Sequence, residues 1–254
     1  MWMNPNPVAF TIFGAPIFWY GIMISTGMLV ALLVTLRRTS RYGITEDRLI
    51  SFLLWAVPAA LVGARIGFVI FNLELYSHNW LTVFAFREGG LSIHGGVFAA
   101  ILTGYIYTKR TNTDFWRLAD LCAPGLILGQ AIGRWGNFFN QEAYGVETTL
   151  PWAMYIAGAW RHPTFLYEFI WNMLVFAFLL YKSKKREVDG SIFIRYLIWY
   201  SAGRYFIEGL RVDSPFWGDF RVAQLISLVL IHGGLILLWW RKRQANKTGG
   251  GLAI

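Results

Sequence analysis

Residues 133–145 read GRWGNFFNQEAYG, a polar stretch emerging from an apolar segment. It begins in strongly apolar sequence and leaves it through Arg134, Asn137, Asn140, Gln141 and Glu142. An arginine at mid-bilayer carries an insertion penalty of roughly 2.5–3.5 kcal/mol on translocon scales. A residue kept at that cost faces a cavity and binds something. Gly133, Gly136 and Gly145 remove side-chain bulk, so a backbone or a ligand can come close.

The sequence around this stretch has the same character. The 254 residues are 56% hydrophobic and 15% charged, with a mean hydropathy of +0.45, which excludes an ordinary soluble domain and points to a multi-span membrane protein. An aromatic content of 18%, including 13 Trp, suits a chain with many membrane–water boundaries. The net charge of +9 does not imply a nucleic-acid partner, because the basic residues fall between apolar runs as loop charge. Cys122 is the single cysteine, so there is neither a disulfide framework nor a cysteine metal site. No Lys or Arg precedes Arg37, so the basic start of a cleavable signal peptide is missing and the first apolar run is expected to remain as a membrane helix.

Seven apolar runs are long enough to cross a ~30 Å hydrocarbon core, near 17–36, 49–71, 91–108, 117–139, 164–181, 192–211 and 222–240. All are expected to be helices, because an open sheet edge in lipid leaves backbone groups unpaired. Fifteen of the 23 Lys and Arg lie in loops 37–48, 109–117 and 182–190 and in the tail from 241. The alternate loops hold only Arg87, Arg161, Arg211 and Arg221, and Arg65, Arg134, Arg195 and Arg204 lie inside runs. Basic residues gather on the cytoplasmic side, so the N-terminus is expected outside and the C-terminus inside. The expected fold is therefore an all-α integral membrane protein, a single seven-helix domain over 1–247. Its two longer outer loops, about 72–90 and 140–163, are aromatic-rich and suit short amphipathic pieces on the lipid surface, and 248–254 reads as a flexible tail.

At about 1.5 Å per residue, the intramembrane polar residues fall in one outer layer. Tyr20, Arg65, His94, Arg134, Asn137, Glu168, Arg204 and Glu208 come from six runs and share it. The inner half holds Asp120, Cys122 and Arg195 near the cytoplasmic ends, where Arg195 snorkels or pairs with an acid. His232 lacks polar company and reads as a packed, hydrogen-bonded histidine. Gln130, Arg134 and Asn137 make one polar stripe, and Tyr200, Arg204, Glu208 and Arg211 make another. Arg204 and Glu208 can neutralise each other as an i, i+4 pair. Arg134 and Arg204, from different helices at one depth, repel unless an anion lies between them. A lipid phosphate is the anion available, and the planar guanidinium fork suits it. His94 lies at the same level beside Gly95 and Gly96, which leave room there, and a histidine ionising near neutrality suits a proton acceptor. No HExxH or other metal spacing is present, so no metal is expected.

With these residues in hand, the chain resembles the bacterial prolipoprotein diacylglyceryl transferases. GRWGNFFNQEAYG resembles the family's signature, and GARIGFV at 63–69, GGLSIHGG at 89–96, HPTFLYE at 162–168 and GRYFIEGLR at 203–211 are similar to its other blocks, in the family's order. The resemblance implies an inner-membrane enzyme working at the periplasmic face, with a seven-helix body and periplasmic arm and head elements. It implies transfer of the diacylglyceryl group of phosphatidylglycerol onto the lipobox cysteine of a preprolipoprotein, leaving glycerol phosphate. It marks Tyr20, His94, Arg134, Asn137, Glu142, Gly145, Arg204 and Glu208 as functional.

In that reaction a thiol with pKa about 8.5 must lose its proton, the more so in a dry site, and His94 is the candidate base. The departing phosphate needs cations already in place, a role for Arg134 and Arg204 with Asn137 donating a hydrogen bond. Glu142 and Glu208 are expected to orient the arginines, and Tyr20 to meet the headgroup or the peptide. Arg65, Tyr200, Arg211 and Gly145 are grouped with them as substrate contacts. No cofactor is expected, and the chain is expected to act as a monomer in the bilayer. A transporter of a small anion or anionic lipid is the competing class, but it usually wants a mid-bilayer site and an internal repeat, and this sequence has neither. A non-catalytic lipid scaffold leaves His94 unexplained.

Overall fold

The apolar runs do fold as helices, and the connections hold more strand than their composition announces. A computed structural model describes residues 5–77, 79–86, 89–185 and 187–247. The tail at 248–254 and the loop charges Arg87 and Arg186 lie outside the described residues. Among those described there are eight α-helices: α1 (Trp19–Leu36), α2 (Thr39–Tyr42), α3 (Glu46–Phe71), α4 (Ile93–Thr111), α5 (Phe115–Asn140), α6 (Thr164–Lys182), α7 (Ser191–Glu208) and α8 (Val222–Lys247). Four of them, α1, α3, α6 and α8, are long and apolar enough to cross a membrane. The others of 18 residues or more, α4, α5 and α7, hold glycines and most of the polar positions singled out above.

Three antiparallel hairpins are described, β1 (Val8–Ile12) with β2 (Ala15–Phe18) ahead of α1, and in connections β3 (Met154–Ile156) with β4 (Ala159–Arg161) and β5 (Phe216–Trp217) with β6 (Phe220–Arg221). Each turn contains a glycine with positive φ, at Gly14, Gly158 and Gly218, where other residues are strained. The outer loop 140–163 thus holds a hairpin where an amphipathic surface piece was expected. In the loop 72–90 the described residues form two short 3-10 turns, Leu73–Tyr76 and Trp80–Phe84. Helix α7 also stops earlier than the run 192–211 suggested. Gly209 follows its last residue, and Arg211 leaves to form an isolated bridge with Gly145.

The chain divides into two compact units, Arg38–Leu118 and the remainder (Met1–Arg37 with Ala119–Ile254). In the larger unit, Ala123 and Ile127 of α5 meet Val175 and Leu179 of α6 and Ile192 and Tyr196 of α7 in one apolar core. Glycines set the helix spacing. A side chain at Gly27 of α1 would lie 2.9 Å from the Gly129 carbonyl of α5, and one at Gly203 would strike the Trp171 indole at 2.1 Å. The Asp120 carboxylate of α5 accepts from the amides of Gly190 (2.7 Å) and Phe193 (2.8 Å), so it caps α7 and fixes its start.

In the smaller unit α3 packs closely on α4. Thr45 caps α3 by accepting from the Arg48 amide, and Ser92 caps α4 by accepting from Gly95. A Cβ at Gly95 would lie 2.3 Å from the Gly63 carbonyl, and one at Gly96 would lie 3.2 Å from the Ala60 carbonyl. The space expected beside His94 at these two glycines is therefore taken up by helix–helix contact.

Candidate active site

Glycine again brings the first elements together. Gly136 lies one turn beyond Gly133 on α5, and a side chain there would meet the Tyr20 ring at 2.8 Å. The Tyr20 ring occupies that slot from the first turn of α1, anchored by Trp19 stacking on Phe139 with centroids 4.9 Å apart. Tyr20 is close enough to Arg134 and Glu142 to feel both charges. On the antiparallel pair α6 and α7, the Trp171 indole lies against Gly203 and donates to the Trp199 carbonyl at 2.8 Å. That close approach sets Glu168 of α6 opposite Arg204 of α7.

The result is a cluster of three arginines and two buried carboxylates. Arg134 Nε lies 2.5 Å from Glu168 Oε2, and Arg204 Nη1 donates to Glu168 Oε1 at 2.7 Å. Arg204 Nη2 lies 2.7 Å from Glu208 Oε2, while Arg211 reaches Glu168 at 3.8 Å and Glu208 at 3.9 Å. Glu168 is 4% exposed and Glu208 1% exposed. Carboxylates so deeply withdrawn from water are sustained by the guanidiniums around them. The Glu208 contact is an ion pair rather than an aligned hydrogen bond. Tyr200, one turn before Arg204, stands against the Arg134 guanidinium.

The anion between Arg134 and Arg204 is thus a carboxylate of the protein itself. Depth along the sequence puts Glu168 in this layer without marking it as the bridging anion, the place where a lipid phosphate is expected. Its signal is an acid one helical turn into the apolar run 164–181, level with both arginines.

Other expected residues meet different partners. Glu142, expected to orient an arginine, accepts instead from Asn137 Nδ2 at 2.9 Å and Asn140 Nδ2 at 3.5 Å. The chain turns back after Asn140, which brings that carboxylate over the end of its own helix. Gln130 donates to the Tyr196 hydroxyl at 2.9 Å beneath the cluster. Arg211 donates to Asp213 from Nε (3.0 Å) and Nη2 (2.9 Å). Partial burial pushes the Asp213 carboxyl up, but these bonds outweigh it and hold the group below the ordinary carboxylate range.

Gly145 is a spacer. Its amide donates to the His162 carbonyl at 3.0 Å, and the next amide, Val146, donates to the Leu210 carbonyl at 2.8 Å. A Cβ at Gly145 would lie 2.6 Å from His162 Cβ and 3.1 Å from both carbonyls. His162 meets the Tyr167 hydroxyl at 3.1 Å, and that hydroxyl accepts from Trp152 at 2.8 Å. A groove of about 930 Å³ runs past Tyr20, walled by Pro7, Pro16, Phe18, Ser25 and Asn140.

In the smaller unit His94 is exposed in the first turn of α4 and has no hydrogen-bond partner among the described residues. Arg65, 4% exposed, donates from Nε to Val83 (2.7 Å), from Nη1 to Gly89 (2.7 Å) and Gly90 (3.1 Å), and from Nη2 to Thr82 (2.6 Å). Four of the five N–H groups of this guanidinium are thereby committed to backbone, against its expected use as a substrate contact. Of the inner residues, Arg195 pairs with Glu187, and Cys122 is half-buried on α5. His232 Nδ1 bonds the Leu228 carbonyl at 2.8 Å, yet its ring is exposed rather than packed.

Helices apolar and long enough to cross a membrane, with an arginine–carboxylate cluster buried among them, define a membrane protein. Comparison with known proteins makes the class specific. The family model for prolipoprotein diacylglyceryl transferase matches residues 7–240, and the chain belongs to that family. It is similar to the phosphatidylglycerol–prolipoprotein diacylglyceryl transferase of Clostridioides difficile, 48% identical over 229 residues that cover 90% of this chain and 92% of the relative. The enzymes of the same name from Bacillus cereus and Finegoldia magna are each 45% identical, over 91% and 95% of this chain and 91% and 98% of theirs.

Proposed function

We propose that this chain transfers the diacylglyceryl group of phosphatidylglycerol to the lipobox cysteine thiol of a preprolipoprotein, the first step of lipoprotein maturation. The observation that carries the reading is the convergence of Arg134 and Arg204, from separate helices, on the single carboxylate of Glu168. Both guanidiniums keep N–H groups that the cluster does not use, and a forked donor suits a phosphate.

In the reaction the thiolate sulfur bonds to the glycerol carbon, the carbon–oxygen bond to phosphate breaks, and its electron pair leaves on the phosphate oxygen. The arginines stabilise that growing charge, Glu208 holds Arg204, and Glu142 holds the Asn137 amide. His94 takes the thiol proton. Arg65 acts at one remove, by gathering the carbonyls of Thr82, Val83, Gly89 and Gly90 ahead of α4 and so positioning the His94 turn. The groove beside Tyr20 suits an apolar chain or an extended peptide.

The reading includes a single seven-helix domain formed by α1 and α3 to α8, with the N-terminus outside. It places the protein as a monomer in the bacterial inner membrane with the site toward the periplasm. Loop charge supports that orientation.

The test uses purified protein, labelled phosphatidylglycerol and a lipobox peptide. A mass gain of one diacylglyceryl group on the peptide cysteine is expected. An unmodified peptide together with lipid or anion movement across a vesicle would make the protein a transporter instead.

A further inference from the structure

In the cluster, Glu168 stands where a substrate phosphate would have been expected to bridge the arginines. Its carboxylate meets Arg134 at 2.5 Å and Arg204 at 2.7 Å and lies 3.8 Å from Arg211, and only 4% of the residue is exposed. Asp213 already answers the charge of Arg211, and Glu208 answers that of Arg204. Glu168 is therefore what cancels the last positive charge, the one on Arg134.

That balance matters because the phosphate changes charge during the proposed reaction. A lipid phosphodiester carries one negative charge. The phosphate monoester that leaves carries up to two at neutral pH, its second ionisation lying near pH 6. Arginines without a built-in counter-charge would hold the product far more tightly than the substrate, and turnover would stall on release.

We infer that Glu168 is a resident anion whose negative charge weakens the grip of Arg134 and Arg204 on phosphate, so that the product leaves. The inference rests on the transferase reading and adds a role that capture of the lipid does not require. A unit charge about 5 Å away at an effective dielectric near 20 changes the affinity of a monoanion on the order of 100-fold, and that of a dianion by roughly the square of that factor. Solvent and salt around the open side reduce both, leaving the difference between product and substrate at about tenfold or more.

The experiment measures transfer to a lipobox peptide with added glycerol phosphate as product inhibitor, in wild type, Glu168→Gln and Glu168→Asp. Glu168→Gln keeps the shape and loses the charge. It is expected to leave the KM for phosphatidylglycerol unchanged or lower, to reduce kcat, and to tighten inhibition by glycerol phosphate at least about tenfold more than it lowers KM. A burst of one turnover followed by slow release is the expected time course. Glu168→Asp withdraws the same charge by one methylene, and its inhibition constant is expected to fall between the two.

A Glu168→Gln variant with raised KM and an unchanged inhibition constant would overturn the inference, leaving Glu168 as a spacer that merely holds the arginines. If Glu168→Gln is not recovered folded, an unchanged inhibition constant in Glu168→Asp overturns it equally. No transfer by the wild type removes the transferase reading and this inference with it. An active wild type whose variants keep its inhibition constant removes the inference alone.

Discussion

Replacing Arg204 by lysine tests whether the guanidinium works as a fork or as a charge. Arg204 holds two buried carboxylates with two different nitrogens, Glu168 through Nη1 and Glu208 through Nη2, each at 2.7 Å. A lysine has one nitrogen at the end of a flexible stem and can sit on one carboxylate at a time. Seated on Glu208, the lysine keeps the net charge and loses the charge-assisted hydrogen bond to Glu168, worth about 1.5–3 kcal/mol. If the transition state depends on that contact, kcat/KM falls by about 10- to 150-fold, since each ~1.4 kcal/mol is a factor of ten. The assay is diacylglyceryl transfer to a lipobox peptide over a range of phosphatidylglycerol concentrations. Size-exclusion and thermal-unfolding profiles in the same detergent check that the variant is folded. A folded Arg204→Lys protein with kcat/KM within about threefold of wild type would rule out the fork, because a point charge would then suffice.

Three further outcomes are expected. His94→Gln should keep binding of phosphatidylglycerol but lose transfer; partial recovery as the pH is raised would mark His94 as a base, and lack of recovery would make its role positional. Gly145→Ala must push the backbone at 144–146 away from His162 and Leu210, since its Cβ would lie 2.6 Å from His162 Cβ, so a loss of about 1–3 kcal/mol of stability is expected in denaturant unfolding. The depressed Asp213 carboxyl implies that its link to Arg211 contributes fully above the unfolded value near pH ~4 and is lost as pH falls through the lower folded value, so amide exchange at 210–214 should stay protected at pH 6 and rise only in strong acid.

What could be read from the sequence was whatever hydropathy and charge dictate. The run 17–36 became Trp19–Leu36 and the run 164–181 became Thr164–Lys182, because a long apolar segment has few other ways to satisfy its backbone in lipid. The hairpins were not legible. Each is at most five residues a strand, and a short aromatic stretch around a glycine turn reads equally well as loop. The placing of Arg134 with Arg204 was legible as a shared level, since one rise per residue converts position into depth. Which anion lies between them was not. That depends on α6 approaching α7 through Gly203 and Trp171, a tertiary contact with no periodic signal. Arg65 shows the same limit from the other side. An arginine buried in an apolar run announces a partner, but only the fold reveals that the partner is the backbone at Thr82, Val83, Gly89 and Gly90.

Everything proposed for the reaction depends on Arg134 and Arg204 gripping one lipid phosphate, and a structure of the protein with phosphatidylglycerol bound shows whether they do. The headgroup phosphate is expected within hydrogen-bond distance of both guanidiniums, beside Glu168. A phosphate seated elsewhere, with Arg134 and Arg204 still closed on Glu168 and out of its reach, would contradict it.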